Sequence, residues 1–191
     1  VFGDWSSDVC SSDLAACSGF IYGLATADAF IRSGMARNVL VIGGETLSRI
    51  TDYTDRTTCV LFGDGAGAAV LTASDGDRGI MATLLGTDGR HTDLLHVSGL
   101  GTKNLPSVES IQARLHYIKM EGRDVFKHAV TAMGAASVKI LELADIASDQ
   151  VDLLIPHQAN LRIIEATAKR ISISMDRVFI NLSKYGNTSA A

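Results

Sequence analysis

Residues 14–43 read Leu14-Ala15-Ala16-Cys17-Ser18-Gly19-Phe20, then IYGLATADAFIRSGMAR, then Asn38-Val39-Leu40-Val41-Ile42-Gly43. The short apolar Leu14-Ala15-Ala16 reads as the end of a buried strand. From Ser18 to Ser33, the residues Phe20, Leu24, Ala27 and Ile31 recur at i, i+4, i+7 and i+11, one face of an amphipathic helix. Gly34 stands where a left-handed residue closes such a helix. Asn38 to Gly43 is a run of β-branched residues and Leu bounded by glycine, the pattern of a strand buried on both faces. Strand end, helix and strand in this order predict a parallel crossover unit.

The same alternation continues downstream. An irregular polar stretch over 44–65 ends in Phe62-Gly63-Asp64-Gly65-Ala66-Gly67-Ala68, and an apolar run extends from there to Ala73. Ser74-Asp75-Gly76-Asp77 has linker composition. Residues 79–87 read as a strand, and a loop-rich region runs to about 117. Glu121 to Leu143 is expected to be helical, with Val125, Ala129, Met133, Ala136 and Ile140 as its stripe. Val151 to Ile155 reads as a buried strand halted by Pro156. Leu161 to Ile171 is the next helix, and Arg177 to Leu182 a further strand. The expectation is an α/β fold with mostly parallel sheets and two related halves. The first half ends within 15–75 and the second occupies 76–191. Residues 1–14, rich in Ser and Asp with a repeat-like SSD, match neither period. They read as translated adapter sequence, foreign to the rest of the chain, with a surface loop or frayed end as the alternative, and no function is assigned to Cys10.

Composition narrows the function classes. The chain has 191 residues, 47% hydrophobic and 20% charged, with a formal net charge of −4. That is the composition of a folded chain with a full core. Nucleic-acid binding is not expected, because the balance is acidic and no Lys/Arg run occurs. No apolar run approaches the roughly 18 residues of a membrane span. Three cysteines (Cys10, Cys17 and Cys59) form neither a disulfide framework nor a zinc spacing. A reducing, cytoplasmic setting is expected. No secretory signal pattern opens the chain. The missing initial Met and the abrupt Asn187-Thr188-Ser189-Ala190-Ala191 lead to the expectation of a piece truncated at both ends.

Three sites could carry chemistry. Cys17 lies at the joint of a strand and a helix, where unpaired N–H groups and the helix dipole favour an anion. Half-ionising a thiol at neutral pH takes about 1.5 pKa units, roughly 2 kcal/mol, the upper end of what a helix terminus supplies. The same pentapeptide also reads as a small buried apolar side chain. Pro156-His157-Gln158-Ala159-Asn160 again joins a strand to a helix. Strand C-terminal ends are where parallel sheets bind ligands, and His157 there can hold or move a proton. A structural histidine fits as well. Gly186-Asn187-Thr188-Ser189 is a turn signal whose Asn can also donate to an oxygen. The glycines at 63–67 precede a strand instead of opening a helix, so they read as a close-packed turn and not a phosphate loop. Arg162 and Lys169, seven apart, share a helix face within about 20°.

Together AACSGF, GDGAGAAVL, IPHQANLRII and GNTSAA, in this order, resemble β-ketoacyl-acyl-carrier-protein synthase III, the condensing enzyme that initiates type II fatty-acid synthesis. The resemblance runs from about Leu14 to Ala191. It implies a layered, thiolase-like α/β fold and a homodimer. It implies an acyltransferase that condenses a short acyl-CoA with malonyl-acyl-carrier protein through an acyl-cysteine. Cys17, His157 and Asn187 would be the catalytic triad, and Asn187, where elongating synthases have a second His, points to the initiating type. Arg56, Gly122, Phe126, Ala159, Asn160 and Ile163 match positions that contact coenzyme A and its pantetheine arm. Lys127, Arg162 and Lys169 match a basic patch that receives acyl-carrier protein. No metal or cofactor is implied, since acyl-CoA and the malonyl carrier are substrates. Two alternatives stand beside this: a related thiolase-fold acyltransferase with the same triad, or an inactive truncated remnant. The family's early β/α elements, and the later segment that supplies its second oxyanion donor, have no counterpart in this sequence.

Overall fold

The computed structural model describes residues 9–10, 15–76 and 78–191. The elements in chain order are β1 (Val9–Cys10), α1 (Gly19–Arg32), β2 (Asn38–Thr46), β3 (Asp64–Thr72), β4 (Leu95–Val97), α2 (Val108–Gln112), β5 (Ile118–Met120), α3 (Gly122–Ala144), α4 (Leu161–Arg170) and α5 (Leu182–Tyr185), with short 3-10 turns between them. Apart from Val9 and Cys10, the stretch read as foreign lies outside the described residues, as do Leu14 and Asp77.

α1 forms where its periodicity places it and ends at Ser33, with Gly34 at φ +74°. A glycine takes this left-handed conformation without steric cost. The stripe packs as expected: Ala27 is fully buried against Val39 and Val41 of β2, with Phe20, Leu24, Ile31 and Leu71 around them. β1 pairs parallel with β2, Val9 opposite Val41, so the crossover unit is present. Its incoming strand lies upstream of where the sequence placed it. Ala16 to Ser18 is a 3-10 turn, and Ala16 at φ +45° bends the chain tightly into α1. β2 is also buried on one face only. Val39, Val41 and Gly43 face inward, while Leu40 is exposed on the side away from α1.

The expectation of mostly parallel pairing holds for β1 on β2 and for two isolated bridges, Phe62 with Asn187 and Leu154 with Val178. The longest ladder is antiparallel: β2 and β3 pair from Asn38–Thr72 to Thr46–Asp64. β4 and β5, neither foreseen, are antiparallel too, with Leu95 opposite Met120. The glycines expected in a turn therefore lie largely inside β3.

Three expected strands do not form. The backbone of 79–87 is engaged by side chains of α1 instead of a ladder, Arg32 Nη2 donating to the Ile80 carbonyl at 3.0 Å and Tyr22 Oη to that of Gly86 at 3.3 Å. Residues 151–155 and 177–182 meet at one bridge only. A 3-10 turn ends at Arg177 and α5 starts at Leu182, which leaves too short a run between them for a ladder.

α3 and α4 pack on each other, with a second core of Ile164, Ala168, Ile171, Ile173 and Val178 under Val138 and Leu141. Asn160 caps α4 by accepting the Arg162 N–H at 2.9 Å, which satisfies one of the orphan donors of the first turn. Among the described residues no helix is long and apolar enough to cross a membrane.

Candidate active site

Three connections converge on one cavity. The turn before α1 carries Cys17, the segment between the Leu154 bridge and α4 carries His157, and the turn after α5 carries Asn187. A cavity of about 610 Å³ is lined by all three, together with Gly122, Phe126, Ala159, Asn160, Arg162 and Ile163. Nine positions singled out from the sequence thus share one space. Arg56, Lys127 and Lys169 do not line it; all three are exposed. The remaining wall is Leu61, Phe62, Leu95, Met120, Arg123, Val125, Ala129 and Met133. Val125, Ala129 and Met133 belong to the apolar stripe of α3, which here faces the chamber. Leu95 and Met120 escaped notice because the β4–β5 pair was invisible to periodicity.

Asn187 is held by its backbone and its side chain. Its N–H donates to the Leu61 carbonyl at 2.8 Å, and its own carbonyl accepts from the Gly63 N–H at 2.9 Å. A Cβ on Gly63 would collide with the Tyr185 carbonyl oxygen, so the close approach requires glycine. The side-chain Oδ1 accepts the Ser189 N–H at 2.9 Å. A backbone donor can face only the oxygen end of the carboxamide, which fixes the amide orientation. Nδ2 makes no hydrogen bond among the described residues, and two donors remain on this buried side chain.

The electrostatics of Cys17 differ from the sequence expectation. Burial pushes the thiol above its ordinary pKa. A hydrogen bond from the Ser189 side chain pulls it back, the Glu45 carboxylate raises it further, and the Cys17 N–H lowers it. Desolvation disfavours the charged form, and here it is the largest influence on the sulfur. Burial likewise holds the His157 imidazole below its ordinary pKa. A neutral imidazole keeps one N–H donor and one acceptor nitrogen.

Arg162 leans over the Phe126 ring, its guanidinium carbon 5.2 Å from the centroid. Within the same helix, Lys169 is exposed, and Lys127 is next to Phe126 on α3. None of the three cations has an ion-pair partner among the described residues. The loop bearing Arg56 is fixed at its base. Asp52 accepts a two-pronged contact from Arg114, with Nε at 2.8 Å and Nη2 on the second oxygen, and also accepts from Thr54.

Residues 13–89 match the family model of 3-oxoacyl-(acyl-carrier-protein) synthase III, and residues 141–191 match the model of its C-terminal part. The chain is 52% identical over 178 residues to the β-ketoacyl-(acyl-carrier-protein) synthase III of Roseiflexus castenholzii, covering 93% of this chain and 54% of that protein. It is 53% identical over 175 residues to the enzyme of the same name from Caldanaerobacter subterraneus, covering 92% and 53%. The crystal structure of 3-oxoacyl-(acyl-carrier-protein) synthase III from Aquifex aeolicus superimposes with a TM-score of 0.83 at 50% identity, over 93% of this chain and 53% of that one. The chain spans about half the length of these relatives, and its architecture is a partial thiolase-like α/β fold. It belongs to the 3-oxoacyl-(acyl-carrier-protein) synthase III family.

Proposed function

We propose that the protein is an acyltransferase that condenses a short acyl-CoA with malonyl-acyl-carrier protein. The observation that carries this reading is the shared cavity of Cys17, His157 and Asn187. Cys17 Sγ attacks the thioester carbonyl of acyl-CoA, its proton leaves with the departing coenzyme A thiol, and an acyl-cysteine remains. The Cys17 backbone N–H is one donor to the developing oxyanion. Malonyl-carrier protein then places its thioester oxygen against His157 and Asn187. Loss of carbon dioxide leaves its bonding electron pair as an enolate, and the two donors hold its negative oxygen. One preorganised donor of this kind is worth about 2.7–4 kcal/mol in such sites. The enolate carbon bonds to the acyl carbonyl carbon, the C–S bond breaks, and Cys17 takes up a proton. The product is a 3-oxoacyl-carrier protein.

The chemistry of the site fits each role. Neutral His157 donates without adding a charge, and the free Nδ2 donors of Asn187 have no competing partner among the described residues. Phe126, Ala159, Asn160 and Ile163, with Gly122, make the wall along which a pantetheine arm would lie. Arg56 would meet the adenine end of coenzyme A. Lys127, Arg162 and Lys169 would receive the acidic carrier, which is steered by local potential whatever the net charge. No cofactor enters this reaction, and the working protein is a cytoplasmic homodimer of two-half subunits. The linker-like stretch at 74–77 would divide those halves.

The test is mass. Incubated with acetyl-CoA, the protein gains an acetyl group that Cys17→Ala abolishes, and adding malonyl-carrier protein removes it as 3-oxoacyl product. No acetyl addition, or one indifferent to Cys17→Ala, overturns the reading.

A further inference from the structure

Gln158 follows His157 and spends its whole side chain on backbone. Its Nε2 donates to the Pro156 carbonyl at 3.0 Å and to the Phe179 carbonyl at 3.1 Å. Its Oε1 accepts the N–H groups of Asn181 at 3.0 Å and Leu182 at 3.2 Å. A carboxamide has two donor hydrogens and two acceptor lone pairs, and all four are used. Two carbonyls at one end and two N–H groups at the other also fix which end is which.

These bonds stand where backbone pairing stops. The Phe179 N–H reaches the Leu154 carbonyl at 2.9 Å, and beyond it no backbone hydrogen bond joins 155–160 to 180–187 among the described residues. One end of the Gln158 carboxamide holds the peptide unit between Pro156 and His157. The imidazole itself makes no hydrogen bond among the described residues, so its place follows from that peptide and from packing. The other end holds the start of α5, where Asn181 makes no side-chain cap of its own. That helix ends at Tyr185, and Asn187 follows directly after Gly186.

We infer that Gln158 is a positioning residue that fixes His157 and Asn187 relative to each other: its Nε2 pins the peptide ahead of the imidazole, and its Oε1 pins the short helix that leads to the second carboxamide. The inference rests on the roles proposed for His157 and Asn187 as paired donors to one oxygen. Two donors reinforce each other only when both point at the same place. A side chain that ties their segments therefore matters more to condensation than to acetyl transfer onto Cys17.

Gln158→Glu keeps an acceptor facing Asn181 and Leu182 and loses both donors; Gln158→Met keeps the length and loses all four bonds. In both, acetyl transfer from acetyl-CoA to Cys17 is expected to stay close to wild type, while condensation with malonyl-carrier protein falls about 10–100-fold. Equal losses in the two steps, or no loss of condensation, overturn the inference. Two NMR measurements need no turnover. In the wild-type protein the Asn181 and Leu182 amides, with no other acceptor among the described residues, are expected to exchange slowly with solvent; rapid exchange of either overturns the inference even if neither variant folds. In the variants the side-chain amide signals of Asn187 are expected to move while the methyl signals of Val39, in the α1–β2 core, stay in place. An unmoved Asn187 amide, or equal movement at Val39, overturns it. A wild-type protein that takes no acetyl from acetyl-CoA counts instead against the proposed function, and the NMR measurements still decide Gln158.

Discussion

Phe62 and Asn187 form an isolated parallel bridge, so the residue that lines one wall of the cavity also fixes the backbone of the residue that donates into it. The bridge depends on Gly63, whose missing side chain lets the Tyr185 carbonyl approach. Gly63→Ala is expected to overpack this contact, push the 185–191 turn away and lower stability by about 1–3 kcal/mol. Urea denaturation measures it; a midpoint equal to wild type would show that the turn moves aside at no cost.

Alkylation of Cys17 is expected to lag a free thiol at neutral pH and to rise steeply only in alkaline solution, because burial raises its pKa. Proton linkage gives the sign for stability. The unfolded thiol ionises first as pH rises, so stability falls from the ordinary thiol pKa, about 8.5, up to the folded value. Glu45→Gln, which removes the opposing carboxylate, is expected to shift the alkylation profile downward in pH; an upward shift would contradict the placement of that charge.

His157 should behave in the opposite sense. Its folded pKa lies below the ordinary value, so the unfolded state binds the extra proton first as pH falls. Its contribution to stability is full above about pH 6.5 and declines below it, towards the folded pKa. Proton NMR of the embedded ring should show a midpoint below that of a solvated histidine, and His157→Gln should flatten this part of the stability profile.

The Asp52–Arg114 contact predicts an acid-sensitive fold. Arg114 first, then Thr54, holds the Asp52 carboxyl well below the usual carboxylate range. The stabilisation is present above the ordinary carboxylate pKa and is lost as pH falls through the folded one. Arg114→Met is therefore expected to be less stable than wild type at neutral pH, with the gap closing in strong acid. A gap that stays constant over that range would mean that the guanidinium acts through packing on Tyr117 alone.

Ile164 is fully buried at the centre of the α3–α4 core. Ile164→Ala is expected to cost about 2–5 kcal/mol, from lost burial and the cavity left behind. Thermal and chemical denaturation check the value, and a loss well below about 1 kcal/mol would mean that the site collapses around the gap.

A physical divide separates the elements that were legible in the sequence from those that were not. Helices α1, α3 and α4 are written in 3.6-residue stripes, and each lies within a residue or two of its expected span. Strands depend on partners that no local pattern names. Residues 79–87 have strand composition but dock on Tyr22 and Arg32, and Leu154 and Val178 find each other at a single point. Cys17, His157 and Asn187 were legible because motifs at element joints mark them. The electrostatics of their cavity were not, since the desolvation of Cys17 and the approach of Glu45 and Ser189 arise only on folding. Ser189 lay inside a quoted motif, yet nothing in GNTSAA announces a left-handed backbone there.

The guanidinium of Arg162 resting on Phe126 ties the size of the chamber to the charge of its rim. Trimming the ring to admit bulkier guests would also set that cation adrift. A change to either side chain therefore alters the surroundings of the other.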